Sequence, residues 1–328
     1  MRPFTYTSAN SKEQALLTYR PNSHYLAGGT NLVDLMKEDV ELPDQLININ
    51  NLSYNQIIAN DNGGITLGAM ARNSETANHQ EVRTKYPLLS MAMLSAATDQ
   101  IRNMASNGGN LLQRTRCPYF FDTSMPCNKR QPGTGCGAKE GMNALHAIFG
   151  YSDKCIAVHP SDMCVALAAI GATIEVQKPG GSSRMIDFSN FHRLPGEQPE
   201  KDTNLLPGEL ITAIHLAKPE FSDHYYYLKI RERSSYAFAL ISVAAGLQLN
   251  NGVITKAGLA MGGVAHKPWK LIKAEAYLSG RIPSQANFEA AATLEMKDAK
   301  PFKESKYKVE MGTRAIVRAL TQAYERKA

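Results

Sequence analysis

The chain predicts a mixed α/β (α+β) protein, and three observations carry that prediction. Short helix and strand signals alternate through the first fifty residues. An aromatic, β-branched run begins at His224 and leads to an Asn-Asn-Gly turn at 250–252. The chain then closes on a strongly helical segment. Its 328 residues suggest two or three domains.

Taken in order, SKEQALLTY (11–19) reads as a short helix. YLAGGTNL (25–32) reads as a strand running into a glycine turn, QLININ (45–50) as a strand and GITLGAMA (64–71) as another. Apolar residues recur at helical spacing in YPLLSMAMLSAATDQI, which predicts one helix over about 86–101. A second glycine turn, SNGGN (106–110), follows. SDMCVALAAIGA (161–172) reads as a helix capped by Ser161, then TIEVQ and ELITAIHL as strands. KPEFSD is polar and contains proline, which places a domain boundary near 218–224. Beyond it, VITKAGLAMGGV is the expected hairpin partner across the Asn-Asn-Gly turn, and residues 308–328 form a C-terminal helix.

Composition narrows the function. With 43% hydrophobic and 20% charged residues, the chain has the make-up of a globular protein whose core needs no cross-links. Its net charge of +6 is spread along the sequence, so nucleic-acid binding has no support. No apolar run reaches the roughly 18 residues of a membrane span, and the N-terminus has no apolar signal segment. Export bound to a signal-bearing partner is compatible with that reading.

Of five cysteines, Cys117, Cys127, Cys136 and Cys155 fall in one stretch rich in Pro, Gly, Asn and Asp that lacks regular periodicity. A long irregular segment needs something to hold it. Four readings stand beside one another: ordinary thiols, structural zinc, two disulfides, or an iron–sulfur cluster. Zinc usually takes closely spaced Cys pairs, whereas nine, eight and eighteen residues separate these ligands. Disulfide staples suit smaller secreted domains. A cluster tolerates irregular spacing. The fifth, Cys164, sits among apolar helix neighbours and reads as core.

Ala27-Gly28-Gly29-Thr30-Asn31 precedes a helix start at Leu32. Such a turn is either a plain bend or a concave anion site built from successive amides. It is not the G-x-G-x-x-G dinucleotide fingerprint. Ser106-Asn107-Gly108-Gly109-Asn110 adds a hydroxyl and a carboxamide, and two such turns flanking a helix make a joint phosphate site the stronger reading.

These residues resemble a known family. LAGGTNLVDLMK, IRNMASNGGNLLQ and HPSDM, with the lysine of YLKIRERSSYAFAL, are similar to the flavin contacts of the FAD-binding subunit of the xanthine oxidase (molybdenum hydroxylase) family, over essentially the whole chain. RTRCPYF, PCNKR, GCGAKEG and GVAHKPW resemble the flavin subunit of bacterial three-subunit, periplasmic-type aldehyde oxidoreductases, which carries an inserted [4Fe-4S] cluster. The resemblance implies a two-lobed flavin-binding domain of the vanillyl-alcohol-oxidase-like type over 1–218, with a cluster loop at about 113–158. It also implies a smaller α/β domain of the CO-dehydrogenase flavoprotein type over 219–328.

The same resemblance implies the site. Ala27, Gly28, Gly29, Thr30, Asn31 and Leu32 are expected to wrap the FAD pyrophosphate, and Ser106, Gly109 and Asn110 to close its other side. Asp162 and Lys229 are expected near the flavin head, where the lysine's charge would favour an anionic reduced ring. For each of these two there is a plainer role: Asp162 stabilises a helix N-terminus and Lys229 is a solvated strand residue. Cys117, Cys127, Cys136 and Cys155 are the implied [4Fe-4S] ligands. His159 and Arg114 lie beside matched motifs with no role assigned. No set of residues for substrate hydroxylation is evident. That step is expected on a large molybdenum-cofactor subunit, with a small subunit carrying two [2Fe-2S] clusters completing a heterotrimer. The compartment follows the partner's leader, hence periplasm by co-export, or otherwise cytoplasm. Two alternatives are a stand-alone NAD(P)H-dependent flavin reductase and a zinc-stabilised non-catalytic scaffold.

Overall fold

A computed structural model describes residues 1–326. The last two positions of the predicted C-terminal helix and domain, 327–328, lie outside the described residues. The mixed α/β class holds, and the strands form three sheets.

The first is a parallel sheet in the order β1 (Thr5–Ser8), β3 (Gln45–Asn48), β2 (Ser23–Leu26). The helix Lys12–Thr18 links β1 to β2, with Ser11 Oγ accepting from the Gln14 amide. The helix Leu32–Lys37 links β2 to β3. The first glycine turn occupies the end of β2 and the start of that helix, as a ligand-holding turn does in parallel α/β units.

The second is a five-stranded antiparallel sheet. It comprises β4 (Ile57–Ala59), β5 (Ile65–Gly68), β6 (Thr173–Gln177), β7 (Ser183–Asp187) and β8 (Leu210–Leu216), in the order β4-β5-β8-β6-β7. Its apolar face packs on the helices Pro87–Ser95 and Asp162–Ile170 in one core that includes Leu88, Leu89, Leu167, Ile174 and Ile214. Cys164 is fully buried there, as its apolar neighbours predict.

The third is antiparallel, in the order β12 (Trp269–Lys270), β11 (Val253–Gly262), β10 (Ile241–Asn250), β9 (His224–Ile230). Asn250 pairs with Val253, so the β10–β11 loop has two residues, Asn251 and Gly252, with φ of 49° and 77°. That is the double positive-φ turn which the Asn-Asn-Gly signal predicts. The helix Tyr307–Glu325 covers this sheet through Ala315, Ile316, Ala319, Leu320 and Ala323, one apolar stripe at helical spacing.

Three elements depart from the sequence reading. The single helix expected over 86–101 is two, Pro87–Ser95 and Asp99–Met104. The break exposes the Ser95 carbonyl, which accepts from Lys229 Nζ at 3.1 Å and Arg231 Nη1 at 3.2 Å, so two cations satisfy a helix end that periodicity alone extends. The SNGGN turn is a one-turn helix, Asn107–Leu111, because Ser106 Oγ accepts from the Gly109 amide at 3.2 Å and starts it. The aromatic run is two strands, β9 and β10, separated by a loop at 231–240.

Candidate functional site

A cavity of about 1190 Å³ lies between the three sheets' loop ends, lined by Ala27–Leu32, Ser106, Gly109, Asn110, Asp162 and Lys229. Every flavin-contact residue expected from the sequence therefore faces one space. The two glycine turns meet there: a Cβ on Gly28 would stand 1.9 Å from the Met104 carbonyl oxygen, so only glycine lets the first turn rest on the backbone leading into the second. Gly29 follows with φ of 70°. Among the described residues the backbone amides of Gly28, Gly29, Thr30 and Asn31 donate no hydrogen bond.

Side chains fix the turns relative to one another. Asn31 Oδ1 accepts from the Arg114 amide at 2.8 Å, while its Nδ2 is buried without a partner. Asn110 Nδ2 donates to Asn73 Oδ1 at 2.6 Å, and Asn110 Oδ1 accepts from Ser161 Oγ at 2.6 Å. Ser161 Oγ also accepts from the Cys164 amide at 3.1 Å, so the residue that caps the helix ties it to the second turn.

Asp162 and Lys229 meet as a buried ion pair, Oδ2 to Nζ 2.8 Å, and Tyr227 donates its hydroxyl to Asp162 Oδ1 at 2.6 Å. Burial lifts the Asp162 carboxyl above the usual carboxylate range, against the pull of Lys229. With its side chain 5% exposed, Lys229 is not a solvated strand residue, and its ammonium is held by Asp162 and the Ser95 carbonyl at the cavity wall.

The four clustered thiols line a second, small void with Phe120, Lys129 and Ala157. All are free, so the disulfide reading is not realised. Cys127 and Cys136 face each other across an antiparallel bridge. Asn128 staples it, with Oδ1 accepting from the Gly133 and Gly135 amides and Nδ2 donating to the Lys154 carbonyl at 3.0 Å. Arg130 Nη1 donates to the Tyr119 and Phe120 carbonyls at 2.9 and 2.8 Å, joining the Cys117 arm. Among the described residues no three of these sulfurs lie within 4.8 Å of one another. Burial pushes the Cys117 thiol up to about 12 and the Cys155 thiol up to about 11. Cys117 and Thr115 line both cavities.

Comparisons with known proteins decide what this arrangement belongs to. Residues 2–219 match the family described as FAD binding domain in molybdopterin dehydrogenase, and residues 226–325 match the CO dehydrogenase flavoprotein C-terminal domain. The chain belongs to the molybdopterin-dehydrogenase FAD-binding family. It is 45% identical over 325 residues to the aldehyde oxidoreductase FAD-binding subunit PaoB of Escherichia coli strain K12, covering 98% of this chain and 99% of that one. It is 28% identical to the glyceraldehyde dehydrogenase medium chain of Sulfolobus acidocaldarius, over 85% of this chain and 82% of that one. The carbon monoxide dehydrogenase structure from Oligotropha carboxidovorans has the same fold, with a TM-score of 0.78, 21% identity and 99% coverage of both chains.

Membership makes the chain a flavoprotein subunit of an oxidoreductase. The structure's donors fit FAD: a backbone cradle with unpaired amides, an orphaned carboxamide donor on Asn31, and a space large enough for a dinucleotide. No described helix is long and apolar enough to cross a membrane.

The residues that sequence reasoning left without a role hold the two cavities together. Asp202 accepts from Arg114 Nε at 2.8 Å and also pairs with Lys129, whose ammonium is 1% exposed and donates to the Pro199 carbonyl at 2.8 Å. Lys129 and Arg114 hold the Asp202 carboxyl well below the usual range, although burial opposes them. Arg114 pairs with Glu41 too, and lies 4.7 Å over the Phe120 ring. His146 Nε2 lies 3.1 Å from Cys117 Sγ. Burial and the Lys308 ammonium push that imidazole down to about 4. Arg114 and Lys129 stand beside quoted motifs, which is a signal; Asp202, 73 residues beyond Lys129, has none.

Proposed function

We propose that this chain is the FAD-binding, [4Fe-4S]-carrying subunit of a molybdenum-dependent aldehyde oxidoreductase. In that enzyme a large partner bearing the molybdenum cofactor converts aldehyde and water to carboxylic acid, two protons and two electrons. A small partner with two [2Fe-2S] clusters relays the electrons, and this chain passes them to an external acceptor. The observation that carries the reading is full-length similarity to an aldehyde oxidoreductase FAD-binding subunit, at 45% identity.

In this reading the amides of Ala27–Leu32 hold the pyrophosphate and Asn31 Nδ2 gains its missing acceptor. Ser106, Gly109 and Asn110 form the facing wall, and the Asp162–Lys229 pair shapes the pocket without adding net charge. Bound FAD supplies both one- and two-electron exchange, which suits a junction between single-electron relays and a two-electron acceptor. Cys117, Cys127, Cys136 and Cys155 supply the cluster thiolates, and the raised thiols at 117 and 155 mean that loading releases protons. Structural zinc usually takes closely spaced Cys pairs, whereas nine, eight and eighteen residues separate these thiols, and that spacing favours a cluster.

The domain division belongs to the same proposal: 1–218 with the cluster loop at about 113–158, then 219–328. So does co-export to the periplasm with a signal-bearing partner, in preference to the cytoplasm.

Co-expression with molybdenum-cofactor and [2Fe-2S] subunits of this family tests the function. The assembled enzyme should reduce an artificial acceptor with an aromatic or aliphatic aldehyde, while this chain alone should not. NADPH oxidation by the isolated chain would instead establish the stand-alone flavin reductase.

A further inference from the structure

Cys117 is the one thiol of the four that borders both cavities, and His146 also lines the larger one. The 3.1 Å contact between His146 Nε2 and Cys117 Sγ therefore sits in the wall between the flavin space and the sulfur-lined void. The histidine is held in place from several sides. Its backbone amide donates to the Asn143 carbonyl at 3.1 Å, and the next amide, of Ala147, donates to the Ile156 carbonyl at 2.9 Å, one residue past Cys155. Lys308, fully buried, donates to the Leu145, His146 and Gly263 carbonyls at 2.9, 3.0 and 2.7 Å. His146 is itself buried, and its Nδ1 has no partner.

The tautomer follows from what each ring nitrogen meets. A thiolate accepts hydrogen bonds and does not donate them, so a proton on Nε2 gives an N–H···S bond. A proton on Nδ1 would aim a nitrogen lone pair at a negative sulfur and bury an unsatisfied N–H. Nε2–H is the favoured form.

We propose that His146 is a positioning residue that sets the reduction potential of the sulfur-ligated centre through this N–H···S bond to Cys117, the thiol that borders the flavin space. The inference rests on the iron–sulfur reading of the four cysteines. A hydrogen bond to a ligand sulfur strengthens as negative charge on the centre grows, so it stabilises the reduced form. The bond would thereby move the potential upward.

The test is an EPR-monitored redox titration of the full chain, purified with the subunits that accompany it, alongside iron analysis. His146→Leu removes the donor, and His146→Gln keeps an N–H at similar reach. With iron retained, the Leu variant should reduce about tenfold less favourably, a fall of about 59 mV for one electron, and the Gln variant should lie closer to wild type. Pulsed EPR on the wild-type protein labelled with ¹⁵N-histidine gives a second readout that needs no variant. A histidine nitrogen coupled to the reduced centre supports the bond; no such coupling overturns it, even if the Leu variant loses its iron. Full iron with wild-type potential in both variants also overturns the inference but leaves the cluster standing. A wild-type chain with no iron at the four cysteines overturns the cluster reading itself.

Discussion

Asp162 and Lys229 stand 67 residues apart in sequence and meet at 2.8 Å within the wall of the larger cavity, each about 5% exposed. One comes from the first turn of a helix on the five-stranded sheet, the other from β9 of the C-terminal sheet. The pair therefore joins the two parts of the molecule that border the flavin space. Removing one partner leaves the other charge buried and uncompensated. Asp162→Asn should cost about 3–5 kcal/mol in urea unfolding, whereas Asp162→Asn with Lys229→Met should cost less than half of that. Equal losses in the single and double variants would deny the coupling.

Gly28 tests the contact between the two turns. In Gly28→Ala the new methyl meets the Met104 carbonyl, which is backbone and cannot swing aside. The turns must separate, at a cost of about 1–3 kcal/mol. The flavin content of the purified protein, read from its visible absorbance, should fall at least several-fold.

Asn31 tests the phosphate site. Asn31→Asp preserves the acceptor that takes the Arg114 amide but leaves a buried oxygen without a donor, so unfolding should cost about 1–3 kcal/mol. The orphaned donor becomes a carboxylate oxygen facing the proposed pyrophosphate. FAD affinity, measured by fluorescence quenching on the deflavinated protein, should drop at least tenfold. An unchanged affinity would remove Asn31 from the phosphate site.

Acid sensitivity follows from the buried imidazoles, His192 and His266 among them. Burial pushes His192 and His266 down to about 4 from an ordinary value near 6.5. Their folded pKa values are depressed, so between pH 6.5 and 4 the unfolded chain binds more protons and stability rises with pH. Moving from pH 7 to pH 5 should cost about 2 kcal/mol for each histidine, and His192→Phe should flatten the dependence by about that amount. Urea midpoints at the two pH values provide the check.

Asp202 ties the cysteine loop to the flavin cavity through Lys129 and Arg114. Asp202→Asn strands a lysine that is 1% exposed and should destabilise by about 3–5 kcal/mol. Because both cavities depend on it, iron and flavin should decline together on gel filtration. Loss of one without the other would show that the two sites are held independently.

Local signals were the legible part of the fold. Ser11 and Ser161 cap the helices they were expected to start, and Asn251-Gly252 turns the hairpin that its dipeptide specifies. The break after Ser95 was not legible, because it depends on Lys229 and Arg231, more than 130 residues away in the chain. The glycine turns were visible as bends with ligand potential, but their mutual contact through Gly28 and Met104 belongs to tertiary structure. The clustered cysteines announced a shared site. The polar staples at Asn128 and Arg130, which hold the loop alongside any metal, act through backbone carbonyls and leave no periodic trace.

In the proposed function one chain encloses a flavin space and, across the Cys117 wall, an iron–sulfur centre. Iron, sulfide and flavin analysis of wild type beside Cys136→Ser and Cys164→Ser tests it most directly. The claim predicts that Cys136→Ser loses about four irons per chain while the buried core variant Cys164→Ser keeps them. Iron unchanged in Cys136→Ser, or a single zinc in the wild-type chain, would contradict it.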